Sequence, residues 1–176
     1  VVFSFLRTAI GLQQSPPNAV MVSLALFLSA FIMAPTFEKA YEEGLKPYME
    51  NRIEEEKAFD LFTKPFHTFM LKEVREKDLD LFSQIAKVDK LETPEQTPLK
   101  ILIPAFMISE LRRAFEIGFL IFLPFLIIDM VVSSVLMSMG MMMLPPMMVS
   151  LPFKLIFFVL VDGWYLVVGS LVKGFG

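Results

Sequence analysis

The chain has 176 residues, 55% of them apolar and 20% charged, with a mean hydropathy of +0.61 and a formal charge of −3. Soluble domains sit nearer about 45–50% apolar even with glycine counted, so an ordinary cytosolic enzyme is excluded, and the acidic balance argues against a nucleic-acid binder. Without cysteine there are no disulfides, thiolate nucleophiles or zinc–thiolate sites, and one histidine cannot build a multi-histidine metal centre within a chain.

The chain opens on Val1 in an apolar stretch with no charged leader or cleavage site before it, so a start further upstream is expected. Gln13-Gln14-Ser15-Pro16-Pro17-Asn18 is a turn signal. Ala19 to Phe37 then carries no charge. As a helix it would extend roughly 28 Å, enough for a bilayer core of about 30 Å. Residues 38–100 hold eleven Lys and Arg and fifteen Asp and Glu, a polar island of net charge −4 inside an apolar protein. Helices are predicted over 53–62 and 66–88. The second carries Phe66, Met70, Val74, Leu81, Ile85 and Val88 in one stripe and Glu73 and Lys77 as an i,i+4 pair. The prolines of Thr93–Pro98 end it. So small a domain is marginal alone and is expected to lean on its membrane segments or on neighbouring subunits.

The remainder is almost wholly apolar. Ile101–Ile108 leads into a charged knot, Glu110 to Glu116, whose acids and arginines can pair at i,i+3 and i,i+4. Ile117–Met139, a turn over Gly140–Pro146 and Met147–Val172 read as a helical hairpin. The fold class is therefore all-α: membrane helical hairpins with a small helical extramembrane domain, divided 1–37, 38–100 and 101–176.

Two features of the hairpin bear on function. Asp129, Lys154 and Asp162 lie inside segments that could face lipid, where each costs about 2.5–3.5 kcal/mol without a partner. On one helix Lys154 and Asp162 would be roughly 12 Å apart, too far to pair, so each needs a charge on a neighbouring helix or subunit. They are structural pairs of a bundle or they line an aqueous route. Pairing between protomers would serve both, and is the favoured reading. The second feature is the turn, where seven of the thirteen methionines fall between 137 and 148. Thioether side chains fill irregular gaps and specify a rigid core poorly. With Gly140 before them and Pro145-Pro146 after, Met141, Met142 and Met143 form a soft cluster on a stiff turn. Gathered about an axis they would make an apolar constriction; in a lone hairpin they are a methionine-rich core turn. His67 is read as a surface residue, and no metal site or cofactor is expected.

Seven stretches in order point to one family: Phe5–Ala9 through Gln13–Asn18; Ala25–Leu28; Phe69–Leu71 through Arg75–Leu79; Ser109–Leu111; Phe125–Asp129; Met139–Met143; and Leu151–Leu155 with Val161–Trp164. Together they resemble the FliP family of flagellar biosynthetic proteins, counterparts of the SctR component of type III secretion injectisomes. The resemblance spans essentially the whole chain. It implies a core pore-forming subunit of the export gate, a ring of five copies with FliQ and FliR in the bacterial inner membrane and flagellar basal body. FlhA, FlhB and FliO are implied as further partners, and unfolded flagellar proteins as the passengers. By the same resemblance residues 38–100 are periplasmic, and Met141, Met142 and Met143 match a gasket that closes the pore. Glu110, Asp129 and Lys154 match charges tied to assembly and export, with Asp162 grouped beside them from its place in the span. Phe69 and Phe82 match aromatics of the periplasmic domain.

The implied role is not enzymatic. Proton-coupled transport through Asp129 and Asp162 is the alternative. An intramembrane aspartyl protease is disfavoured because no Gly-x-Gly-Asp pattern occurs and Asp162 precedes its glycine.

Overall fold

The computed structural model describes residues 1–88, 93–141 and 143–175, and every element among them is helical. In chain order these are α1 (Val2–Ile10), α2 (Asn18–Ala40), a π-helical turn (Tyr41–Leu45), α3 (Lys46–Met49), α4 (Glu55–Glu73), α5 (Glu76–Ile85), a 3₁₀ turn (Pro94–Gln96), α6 (Leu99–Ser138), α7 (Pro146–Leu160) and α8 (Gly163–Lys173). Among the described residues two helical stretches are long and apolar enough to cross a membrane. One runs from Asn18 to Met49, through α2, the π turn and α3, and the other is α6. At 1.5 Å per residue their 32 and 40 residues extend roughly 48 and 60 Å. Helices α7 and α8 meet that test only as a pair, and they are bent by 60° at their junction. The chain divides into two compact units, 1–28 with 113–176, and 29–112.

In the first unit the core gathers on α1. Val2, Phe3, Leu6, Ala9 and Ile10 fall at helical spacing and are all buried. They pack with Phe125 of α6, Phe158 of α7 and Val167 of α8, and with the half-buried Met21, Leu24 and Leu28 of α2. Phe158 sits between Phe125 and Trp164, with ring centroids 6.2 and 5.6 Å away. Helix α1 stops at Gly11, whose φ of 91° puts it in the left-handed region that glycine tolerates best. The Gly11 N–H donates to the Thr8 carbonyl and the Leu12 N–H to the Arg7 carbonyl, the Schellman closure.

In the second unit α2 ends against α4. Phe37 stacks edge-on to Phe66 at 5.3 Å, and Phe62 lies 5.5 Å from the same ring. Gly44 is buried in the π turn, directly over the backbone of Phe62. Ile101, Leu102 and Ala105 of α6 are fully buried.

Three expectations are corrected. The helix predicted over 66–88 is two helices, because Val74 and Arg75 adopt extended conformations. Its stripe is no continuous face, since Leu81 and Ile85 are exposed, and Glu73 and Lys77 sit on different helices. The first arm of the hairpin is longer than Ile117–Met139: α6 runs unbroken from Leu99 through the charged knot to Ser138. The predicted Met147–Val172 helix breaks at Asp162, which takes a left-handed conformation (φ 50°) at the start of α8.

Candidate functional site

The charged residues of the hairpin assemble around Asp129. Helix α7 presents Ser150 and Lys154 four residues apart, hence on one face, and both reach the same carboxylate. Lys154 Nζ lies 2.5 Å from Asp129 Oδ2, and the Ser150 hydroxyl donates to Asp129 Oδ1 at 2.5 Å. The ammonium also donates to the Ala9 carbonyl at 3.1 Å. Gly11 and Leu12 close the carbonyls of Thr8 and Arg7 but not that of Ala9. Lys154 therefore satisfies an orphan acceptor and places its charge at the negative end of α1. Ser150 and Lys154 are 0% and 3% exposed, so little of this charge pair reaches solvent on the α7 side. The network ties α6, α7 and α1 together within the first unit.

The pairing is internal to the chain, where the sequence reading favoured a neighbouring protomer for Lys154 and Asp129. Lys154 and Asp162 do not share a helix either, because α7 ends at Leu160. Asp162 is exposed at the α7–α8 bend. Behind it Gly163 is buried against Phe158, whose ring atoms lie within 2.1–2.7 Å of where a Cβ would stand. The bend is thus built by a left-handed Asp followed by a residue that must lack a side chain.

The methionine turn lies between the end of α6 at Ser138 and the start of α7 at Pro146. Gly140 turns the chain at φ 71° with nothing within 4 Å of its missing Cβ. Met141 is 42% exposed and Met143 98% exposed, and Met139, Met147 and Met148 beside them are also exposed. Met142 lies outside the described residues.

A family model described as FliP family matches residues 1–171. The chain belongs to the FliP family. The flagellar biosynthetic protein FliP of Caulobacter vibrioides is 62% identical over 175 residues, covering 99% of this chain and 66% of that protein. Its namesake in Bacillus subtilis is 58% identical, covering 99% of this chain and 79% of that protein. That of Rhizobium meliloti is 52% identical over 177 residues, covering 99% and 72%. This chain thus spans about two thirds to four fifths of the length of these FliP proteins.

The other residues singled out from sequence lie in the second unit of this FliP-family chain. Phe69 of α4 packs on Phe106 of α6 at 6.0 Å, edge to face. Phe82 is half-buried on α5, and Glu110 is half-buried on α6. His67 is not simply a surface residue: its Nε2–H donates to the Thr97 carbonyl at 2.7 Å and fastens the 3₁₀ turn to α4. Among the described residues no group of three or more His, Asp or Glu is placed to hold a metal ion.

Sequence reasoning missed the tightest polar cluster of this unit. Asp78, at the N-terminal end of α5, is 6% exposed and is clasped by the Arg75 guanidinium at 2.6–2.9 Å. The Ser109 hydroxyl of α6 donates to Asp78 at 2.6 Å and accepts the Arg75 backbone N–H at 3.1 Å. This explains the helix break: an extended Arg75 turns its N–H and its side chain onto partners that a continuous helix would withhold. The signal was available as Arg75-Glu76-Lys77-Asp78, an acid three residues after a basic residue at a helix start.

The Ser109 hydroxyl bond, with Arg75 behind it, holds the Asp78 carboxyl below its ordinary range against the opposing effect of burial. A lowered folded-state value means stability that is present above the unfolded value and lost as pH falls through the folded one. Ser109→Ala should therefore cost about 2 kcal/mol at neutral pH, the scale of a hydrogen bond to a charged group. That difference should shrink below about pH 4, where Asp78 is neutral in the unfolded chain. Denaturant unfolding of both proteins at pH 7 and pH 3, followed by hydrogen exchange in α5, checks it; a pH-independent difference would assign the cost to packing alone.

Proposed function

We propose that this FliP-family chain is a pore-forming subunit of the flagellar protein export gate. Copies encircle one axis in the bacterial inner membrane, in company with FliQ and FliR. FlhA, FlhB and FliO join the apparatus or its assembly, and unfolded flagellar proteins pass through. The observation that carries the reading is the methionine turn: flexible thioethers held out from the end of a hairpin, with Met143 almost wholly exposed and open space where a Gly140 side chain would stand. Such a turn is a poor core and a good deformable seal. Around a narrow axis it excludes water by being apolar and yields to an extended chain by rotamer change.

Association has a surface to use. The α6–α7 hairpin carries an apolar groove of about 600 Å³, and Ile127, Val131, Phe153 and Ile156 along it are all more than half exposed. Helices that leave such faces open bury them against lipid or other helices. The role assigned is passive: form the ring, hold it closed, admit a chain. No catalytic step is part of it. The island 38–100 is proposed to be periplasmic, with Phe69 and Phe82 within it. Glu110 and Asp162 are proposed to serve assembly and export, and the Asp129–Lys154 pair to hold the hairpin in the shape the ring requires.

Replacing Met141, Met142 and Met143 together by Ala tests the proposal. The complex should retain its native mass in detergent while cells become permeable to small ions and dyes. An assembled complex with an intact permeability barrier, or a native particle of one chain, overturns it.

A further inference from the structure

Residues 38–100 carry a net charge of −4, yet one cleft in the second unit runs against that sign. It encloses about 400 Å³ between the end of α2 and α4, lined by Pro35, Thr36, Lys39 and Glu43 on one side and Lys64, Pro65, Thr68, Phe69 and Lys72 on the other. Lys64, Thr68 and Lys72 recur every four residues, one face of α4, and Lys39 faces them from α2. Among the described residues none of these three lysines makes an ion pair. Three uncompensated ammonium groups against one carboxylate leave the cleft positive and ready for an anion. Thr36 adds a hydroxyl donor, and Pro35 and Phe69 give it apolar walls.

Its position selects the anion. Lys39 comes two residues after Phe37, where the uncharged run from Ala19 ends, so the cleft sits at the polar end of a stretch long enough to cross a membrane. About two turns before Lys39, α2 turns Phe31 outward, 69% exposed, the kind of surface that acyl chains cover. A free phosphate would use the lysines and leave the apolar walls bare. A phospholipid uses both.

We propose that the Lys39–Lys64–Lys72 cleft binds the phosphate headgroup of an anionic phospholipid, with its acyl chains along the outer face of α2. Clustered lysines at a membrane boundary attract anionic headgroups by about 1 kcal/mol each, and this attraction is screened by salt.

The test uses the full-length protein in a neutral detergent, titrated with phosphatidylglycerol or phosphatidylcholine, with bound lipid counted by native mass spectrometry. Phosphatidylglycerol should bind about tenfold or more tightly than phosphatidylcholine. The combined Lys39→Gln, Lys64→Gln and Lys72→Gln variant should lose about tenfold or more of that affinity. A control carrying Lys57→Gln, Lys77→Gln and Lys100→Gln, all exposed and outside the cleft, should stay within about twofold of the wild type. Equal losses in both variants, or equal binding of the two lipids, overturn the proposal. Complete displacement of phosphatidylglycerol by millimolar inorganic phosphate overturns it as well, since the cleft would then be a site for free anions.

Discussion

Lys154→Met should lower the stability of the 1–28 and 113–176 unit by about 3 kcal/mol, within the range of about 3–5 kcal/mol for removing one member of a buried ion pair. The side chain of Lys154 is 4% exposed and that of Asp129 27%. The partner left behind thus keeps some access to solvent, which places the effect at the lower end. Three interactions disappear together: the contact with Asp129, the hydrogen bond to the Ala9 carbonyl, and the cation at the end of α1. Asp129→Leu combined with Lys154→Met should recover part of that loss, to within about 2 kcal/mol of the wild type, because a matched apolar pair carries no desolvation cost while the Ala9 carbonyl is still left without its donor.

Exchanging the two charges should rescue less than the apolar pair does. A carboxylate at 154 would face the Ala9 carbonyl with no proton to donate and would put a negative charge at the negative end of α1. The unpaired carbonyl alone costs about 1–3 kcal/mol. Trp164, the sole tryptophan, stacks on Phe158 at 5.6 Å and lies 6.4 Å from Phe3. Its fluorescence therefore reports loss of this unit directly. A Lys154→Met protein that melts with the wild type would show that the pair carries no net energy.

The hairpin was legible because its punctuation is local. Gly140 and the two prolines mark the turn, and the structure ends α6 at Ser138 and restarts at Pro146. The same turn could have shown the ion pair. Asp129 and Lys154 lie about equally far from it on either side, and facing positions of an antiparallel hairpin meet. Taking residues 147–172 as one unbroken helix hid this, since it directed attention to Lys154 and Asp162 instead. The break at Asp162 has a local signal that a hydropathy reading passes over: Asp-Gly marks turns, and Asp visits the left-handed region more than most residues. What enforces it is also near in sequence: the Phe158 ring, five residues back, fills the place of a Gly163 side chain.

The break at Val74–Arg75 has no proline or glycine at all, so a periodicity argument runs straight through it. It is set by Ser109, more than thirty residues away. Conversely the charged stretch from Glu110 to Glu116, read as lying before the first arm of the hairpin, is part of the same helix. Its Glu, Leu and Arg residues are good helix formers, and polarity alone does not end a helix. Local composition thus located the apolar spans and the methionine turn, whereas the polar clusters that fix the helix ends depend on residues distant in sequence.

Gly44→Ala should destabilise the 29–112 unit by about 2 kcal/mol or more, although helix propensity alone favours Ala by about 1 kcal/mol. A Cβ at position 44 would stand 2.6 Å from the Phe62 nitrogen and 2.8 Å from its Cα. These are backbone atoms of α4, which cannot rotate aside as a side-chain tip can. Relief requires moving α4 away from the π turn, and with it Phe62 and Phe66, whose rings close the contact with Phe37. Overpacking of this kind costs about 1–3 kcal/mol and sometimes more, so the steric cost outweighs the propensity gain. Gly169→Ala on α8 isolates the other side of the balance. Nothing lies within 4 Å of its Cβ, so it should stabilise by about 0.5–1 kcal/mol. Hydrogen exchange of the α4 amides should quicken roughly thirtyfold in the Gly44 variant and stay unchanged in the Gly169 variant. Unchanged protection of α4 with Ala at position 44 would mean that the close approach of the two backbones is not what holds α4 in place.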